Sequence, residues 1–133
     1  MTDPRETLDQ IQARADAATE GPWTWASHTT VDGDQWAVFD KQDHALAENR
    51  DGWGPDAEFI AAARIDVPRL VDALQAVLEV HRDGGESQGV LGDDSYVDIP
   101  SCCTECGALG EYGEPWPCPT VTAITTALEA HHD

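Results

Sequence analysis

Residues 55–82 read PDAEFIAAARIDVPRLVDALQAVLEVHR, the longest helical pattern in a chain of 133 residues. Whatever else the protein builds has to pack on this stretch. Asp56 and Glu58 lie near its start, where the positive end of a helix dipole favours acids, and Phe59, Ile60 and Ala63 give a first short apolar face. Asp66-Val67-Pro68 then interrupts the pattern. Proline removes one backbone donor and crowds the preceding turn, while Asp66 is able to cap a second helix. Past the interruption Leu70, Leu74, Val77, Leu78 and His81 fall on one stripe. The expectation is a broken long helix that ends on a histidine.

Upstream, Asp3-Pro4-Arg5-Glu6 starts a helix: Asp3 caps, Pro4 suits the first helical position and Glu6 can close a capping box. Leu8, Ile11, Ala15 and Ala18 recur at helical spacing, and Gly21-Pro22 stops the run. WTWASHTTV (23–31) alternates as an extended segment. DGD (32–34) is a turn, and QWAVFD (35–40) is a second strand with Trp36 and Val38 on one face. KQD (41–43) turns again into a short strand in HALAEN (44–49). Three short strands in meander order predict a small antiparallel sheet. Trp23, Trp25 and Trp36 read as the core of this helix-sheet unit. Trp53 sits between glycines in a loop and is the interface candidate.

Downstream, DGGESQGVLGDDS (83–95) is acidic and glycine-rich. It predicts a linker over 83–99 between a helix-sheet-helix unit (1–82) and a tail (100–133), with a short strand in SYVDIP (95–100). All four cysteines fall in the tail, and Pro119 begins a last helix with Val121, Ile124 and Leu128 on one face. The fold class is therefore α+β: an N-terminal helix, a three-stranded meander, a broken long helix and a small C-terminal tail ending in a helix.

Cys103-Thr104-Glu105-Cys106-Gly107 is a C-x2-C knuckle, a spacing that lets two thiolates hold one tetrahedral ion from a tight turn. Cys118 precedes a helix start, where the dipole favours a thiolate. A closed structural zinc site needs a fourth ligand. His131 and His132 stand at the far end of the helix that Cys118 opens, about 20 Å away if it is straight. His28 and His44 belong to the strand region. His81 ends the apolar stripe of its helix and is the expected fourth ligand, with Cys102 as the fallback. Two disulfides and a reactive thiol centre are the alternatives to zinc. Glu105 is the only carboxylate inside the knuckle, so the zinc reads as structural, stapling a tail too small to hold its own core. Trp116, between prolines, is expected to pack over it.

Composition narrows the function. The chain carries 26 acidic and 7 basic residues, a formal charge of −19. Neither half has the basic footprint of a nucleic-acid binder, and this field opposes binding to phosphate backbones. Such acidity serves solubility; it also suits DNA mimicry or docking to a basic partner. MTDPRETLDQ has no apolar leader core and no run approaches membrane-spanning length, which predicts a protein of a reducing compartment without membrane contact. There is no P-loop, no G-x-S-x-G, no H-E-x-x-H and no glycine-rich dinucleotide turn.

ARADAATEGPWTW (13–25), followed by DAEFIAAARIDVPRLVDAL (56–74), resembles the Ead-like accessory proteins of tailed phages. The histidine after a leucine-rich helix, then C-x2-C and Pro117-Cys118-Pro119-Thr120 opening a helix, is similar to a zinc-type tail of small proteins from actinobacterial phages and their hosts. Together the resemblances cover residues 4–81 and 100–128. They imply phage or prophage origin, accessory expression in the host bacterial cytoplasm, a histidine ligand at position 81 and no established enzymatic activity. The function expected is non-enzymatic binding of a host macromolecule, a host protein rather than nucleic acid. The alternatives are an acidic DNA mimic that inhibits a host DNA-binding protein and a zinc-dependent hydrolase.

Overall fold

A computed structural model describes residues 2–49, 54–90, 92–99, 101–106 and 115–130. The elements are α1 (Pro4–Ala17), β1 (Thr24–Thr30), β2 (Gly33–Phe39), β3 (Ala45–Asn49), α2 (Gly54–Val80), β4 (Ser87–Val90), β5 (Tyr96–Ile99) and α3 (Pro119–Glu129). The class is α+β, as the sequence predicts. The chain divides into two compact units, residues 9–72 and residues 1–8 with 73–133, so both division points fall inside helices.

Residues 9–72 hold the three-stranded antiparallel sheet, in the order β1-β2-β3. The hairpin from β1 to β2 turns on Val31 and Asp32, and Gly33 takes φ 113, a conformation that side-chain-bearing residues avoid. The turn into β3 is locked by Asp40, which is buried. Its carboxylate accepts the backbone N–H of Gln42 at 2.8 Å and of His44 at 2.9 Å, and lies 3.3 Å from His44 Nδ1. The His44 amide is the main reason its pKa falls below the ordinary carboxylate value; desolvation opposes the shift and the Gln42 amide adds to it.

The sheet packs Val38 against Ala57 and Ala61 of α2, with Trp23 and Trp36 against the same cluster. Here the structure corrects part of the expected face of the long helix: Leu78 is buried and Leu74 half-buried as expected, but other members of the stripe are not. The buried positions of α2 are Gly54, Ala57, Ala61, Val71 and Leu78, whereas Phe59, Ile60, Leu70 and Val77 are exposed. Close approach of indole rings requires small residues on the helix, so alanines rather than the bulkier neighbours face inward. Gly54 shows the same limit: an added Cβ would lie 3.1 Å from the Trp36 ring. Trp25 is tilted against Trp36 with centroids 5.1 Å apart but is 37% exposed, at the rim of this core rather than inside it.

The break in α2 is confined to Pro68: one i→i−4 bond is lost and the residues on both sides stay helical. At α1 the expected cap is present, with the Arg5 N–H donating to Asp3 Oδ1 at 2.9 Å. Part of the stretch expected as a linker forms an antiparallel ribbon, β4 with β5, from Ser87↔Ile99 to Val90↔Tyr96. Alternation in this short acidic run was masked by its glycines. No helix among the described residues is long and apolar enough to cross a membrane.

Two measurements check this packing. Leu78 is fully buried and Leu70 is 63% exposed. Leu78→Ala should cost about 2–5 kcal/mol in urea unfolding and Leu70→Ala under about 0.5. For Asp40, a depressed folded-state pKa gives stability that is present above the unfolded value of about 3.9 and lost as pH falls through the folded one. The melting temperature of Asp40→Asn should therefore lie below that of the parent at pH 7, and the gap should close in acid.

Candidate metal centre

The centre is assembled in the unit of residues 1–8 and 73–133 from three separate pieces of chain. The first is the end of α2. The His81 N–H donates to Val77 O at 3.1 Å, so the helical turn carries one residue past Val80 and fixes the start of the imidazole. The Arg5 guanidinium donates to the carbonyl oxygens of Leu78 and, at 3.5 Å, His81, satisfying acceptors that a helix C-terminus leaves open.

The second piece is the knuckle, strapped to the chain that leaves α2. Thr104 N–H donates to Arg82 O at 2.9 Å and Gly84 N–H to Cys102 O at 2.7 Å. Thr104 Oγ1 donates to Val80 O at 3.0 Å and accepts from the Arg82 N–H at 3.2 Å. A bridge between Asp83 and Cys103 completes the strap. An added Cβ on Gly84 would meet Cys102 O at 2.9 Å, so glycine is needed for this approach.

The third piece is the start of α3. Cys118 is its N-cap residue, with Pro119 opening the helix. Serine or aspartate at such a position would turn its side chain onto the first amides. The Cys118 side chain makes no cap hydrogen bond, and its sulfur joins the cluster instead.

The result is a tripod. His81 Nδ1 lies 3.5 Å from Cys103 Sγ, 3.4 Å from Cys106 Sγ and 3.6 Å from Cys118 Sγ, and all four atoms lie within 4.8 Å of one another. Cys118 and Cys103 are buried, His81 and Cys106 half-buried. One ring nitrogen carries at most one proton, so hydrogen bonding cannot account for three sulfurs at nearly equal distance. A central ion does. Metal–sulfur bonds of about 2.3 Å and metal–nitrogen bonds of about 2.0–2.1 Å at tetrahedral angles put nitrogen and sulfur about 3.5 Å apart. The four residues can hold a metal ion.

Electrostatics points the same way. Burial works against the Cys103 thiolate, but the amides of Glu105 and Cys106 and the His81 ring outweigh it and bring its pKa down to about 6. Cys106 is pushed up to about 12, first by burial and then by the Cys118 and Cys103 sulfurs. One thiolate is accommodated; a second beside it requires a cation.

His81, Cys103, Cys106 and Cys118, singled out by spacing, are brought together, and Cys102 is outside the set. Adjacent residues of extended chain point to opposite sides, and Cys102 is engaged by Gly84 and by a bridge to Pro115. None of the four cysteines is in a disulfide. Glu105 is exposed. Trp116 is half-buried and lines a groove of about 320 Å³ with Pro4, Arg5, Pro117 and Val121, while its backbone N–H donates to Ser101 O at 3.0 Å. Trp53, His131 and His132 lie outside the described residues. The supports Arg5 and Thr104 have no signature in the sequence, because their partners are set by the fold.

No family model matches the chain, and no curated protein or solved structure is significantly similar to it.

His81→Ala should weaken divalent-metal affinity by about 10²-fold or more, on the scale of a lost ligand. Cys102→Ser should leave it nearly unchanged. Competition against a chromogenic chelator reads both, and acidification should release the ion as the thiolates and imidazole take up protons.

Proposed function

We propose that the chain is a non-enzymatic accessory protein of phage or prophage origin that binds a host protein, and that a zinc ion bound by His81, Cys103, Cys106 and Cys118 holds its C-terminal unit together. The observation that carries the reading is the closed four-ligand set, one imidazole nitrogen and three sulfurs within 4.8 Å of one another. Borderline-soft N and S donors in tetrahedral arrangement favour zinc over magnesium or calcium, which take oxygen. Four protein ligands leave no open position for water, which a hydrolytic zinc would need. The acidity supports a basic protein partner over nucleic acid, and four thiols outside disulfides suit a reducing bacterial cytoplasm. Phage origin rests on the resemblance of residues 13–25, 56–74 and 117–120.

The test has two arms. Native mass spectrometry should find one zinc per chain; metal-free protein with two intact disulfides would end the zinc reading. Affinity capture from host lysate should retain a basic protein at low salt and release it at high salt. Retardation of duplex DNA by the pure protein, or ester or phosphate hydrolysis abolished by a chelator, would replace the binding reading with another.

A further inference from the structure

β1 is an edge strand of the sheet in residues 9–72, with β2 on one side and no described strand on the other. Its sequence, TWASHTT, is exposed at every position except the half-buried Thr30. Natural edge strands are blunted by a charge, a proline, a bulge or short length. β1 has seven residues, no aspartate, glutamate, lysine or arginine (His28 is its one titratable side chain), no proline and an unbroken register with β2. The opposite edge is managed: β3 has five residues, carries Glu48, and meets β2 across a register shift at Val38/Phe39.

The register fixes what this edge offers. A two-residue loop makes the flanking pair, Thr30 and Gly33, the hydrogen-bonded kind. Alternation then directs the backbone groups of Thr24, Ala26, His28 and Thr30 to β2 and those of Trp25, Ser27 and Thr29 outward. Three N–H and three C=O groups form an open ladder.

Charge selects the occupant. The three strands carry Asp34 and Glu48 and no lysine or arginine, and residues 9–72 hold 13 acidic and 5 basic residues. A second copy would bring the same net negative charge to the same edge. A cationic strand meets a complementary field. It also finds a ring: Trp25, 37% exposed and tilted against Trp36 with centroids 5.1 Å apart, pairs with Val38, so a lysine or arginine on that same face of an added strand is placed to reach it. The fold already uses this contact elsewhere, with the Arg64 guanidinium 5.9 Å from the Trp23 centroid.

We propose that β1 takes up an extended lysine- or arginine-rich peptide segment of the partner protein as an added strand, paired to the outward backbone of Trp25, Ser27 and Thr29. This rests on the reading of the chain as a protein-binding module and names the surface and the partner chemistry. The probe is a decapeptide alternating lysine with valine, titrated against the zinc-loaded full chain. Binding should quench tryptophan fluorescence, slow amide exchange at Trp25, Ser27 and Thr29, and weaken about tenfold or more between about 0.05 and 0.5 M salt. A peptide of equal charge with proline at alternate positions cannot pair and should bind about tenfold or more weaker. Ser27→Pro removes an outward N–H without touching the ladder to β2, and Thr29→Lys places a like charge on the edge. Both should cost at least about as much. Equal binding of the proline-containing peptide, full affinity in both variants, or an exchange footprint away from β1 would overturn the proposal, as would dimerisation through β1 in place of peptide binding. If Ser27→Pro and Thr29→Lys still capture the host protein at full strength, the edge is not the site while the binding reading stands. If the parent chain captures none, the binding reading itself fails.

Discussion

Three sulfurs that converge on one imidazole nitrogen at 3.4–3.6 Å cannot share that space as thiols and thiolates on their own terms. Hydrogen bonding satisfies one of them. Ionising a second places like charges side by side, which is why the Cys103 and Cys106 pKa values move in opposite directions. A cation removes the conflict. Among the described residues of 1–8 and 73–133, the buried hydrophobic side chains apart from the cysteines are Leu8, Leu78 and Val121. An ion bound by the four ligands would add to this small apolar set, and its binding free energy would then count as folding free energy.

The sheet unit solves the opposite problem, having large side chains and little room. Trp25 and Trp36 lie in a three-stranded sheet, with Trp23 just before it, and the sheet is too narrow to cover them alone. α2 can come close only by presenting Gly54, Ala57 and Ala61, positions whose small size rather than hydrophobicity selects them. The turn at Asp40 then sets where β3 lies, through hydrogen bonds that a charged carboxylate makes strongest. A bulky inward residue on α2 and a neutral residue at position 40 would disturb the same packing from opposite sides.

Much of this was legible in the residues. The capped start at Asp3-Pro4, the meander between Gly21 and Asn49 and the final helix at Pro119 follow from local rules that tertiary contacts did not overrule. The cluster of His81, Cys103, Cys106 and Cys118 was legible too, since C-x2-C, a cysteine before a helical proline and a histidine at a helix end each have a local reason. What could not be read was which face of α2 turns inward. Periodicity marks Phe59 and Leu70 as readily as Ala57 and Ala61, and only the bulk of the facing indoles decides between them. The β4–β5 ribbon was hidden by Gly84, Gly85, Gly89 and Gly92, which weaken strand pattern without forbidding strand pairing. The roles of Arg5 and Thr104 belong to the same class: a donor is visible in sequence, but its acceptor across the fold is not.

Arg5 reaches the carbonyls of Leu78 and His81, and the Thr2 N–H donates to Glu129 Oε1 at 2.9 Å across a separation of 127 residues. These contacts have a consequence for synthesis on the ribosome. Residues 9–72 form one continuous stretch, so the sheet and its helix can close as soon as they emerge. The partners of Arg5 and Thr2 come later in the chain: the end of α2 for Arg5, then α3 for Thr2. The helix α1, whose residues divide between the two units, is therefore completed in two stages, its later turns with the sheet unit and its first turn only when those distant acceptors have been made.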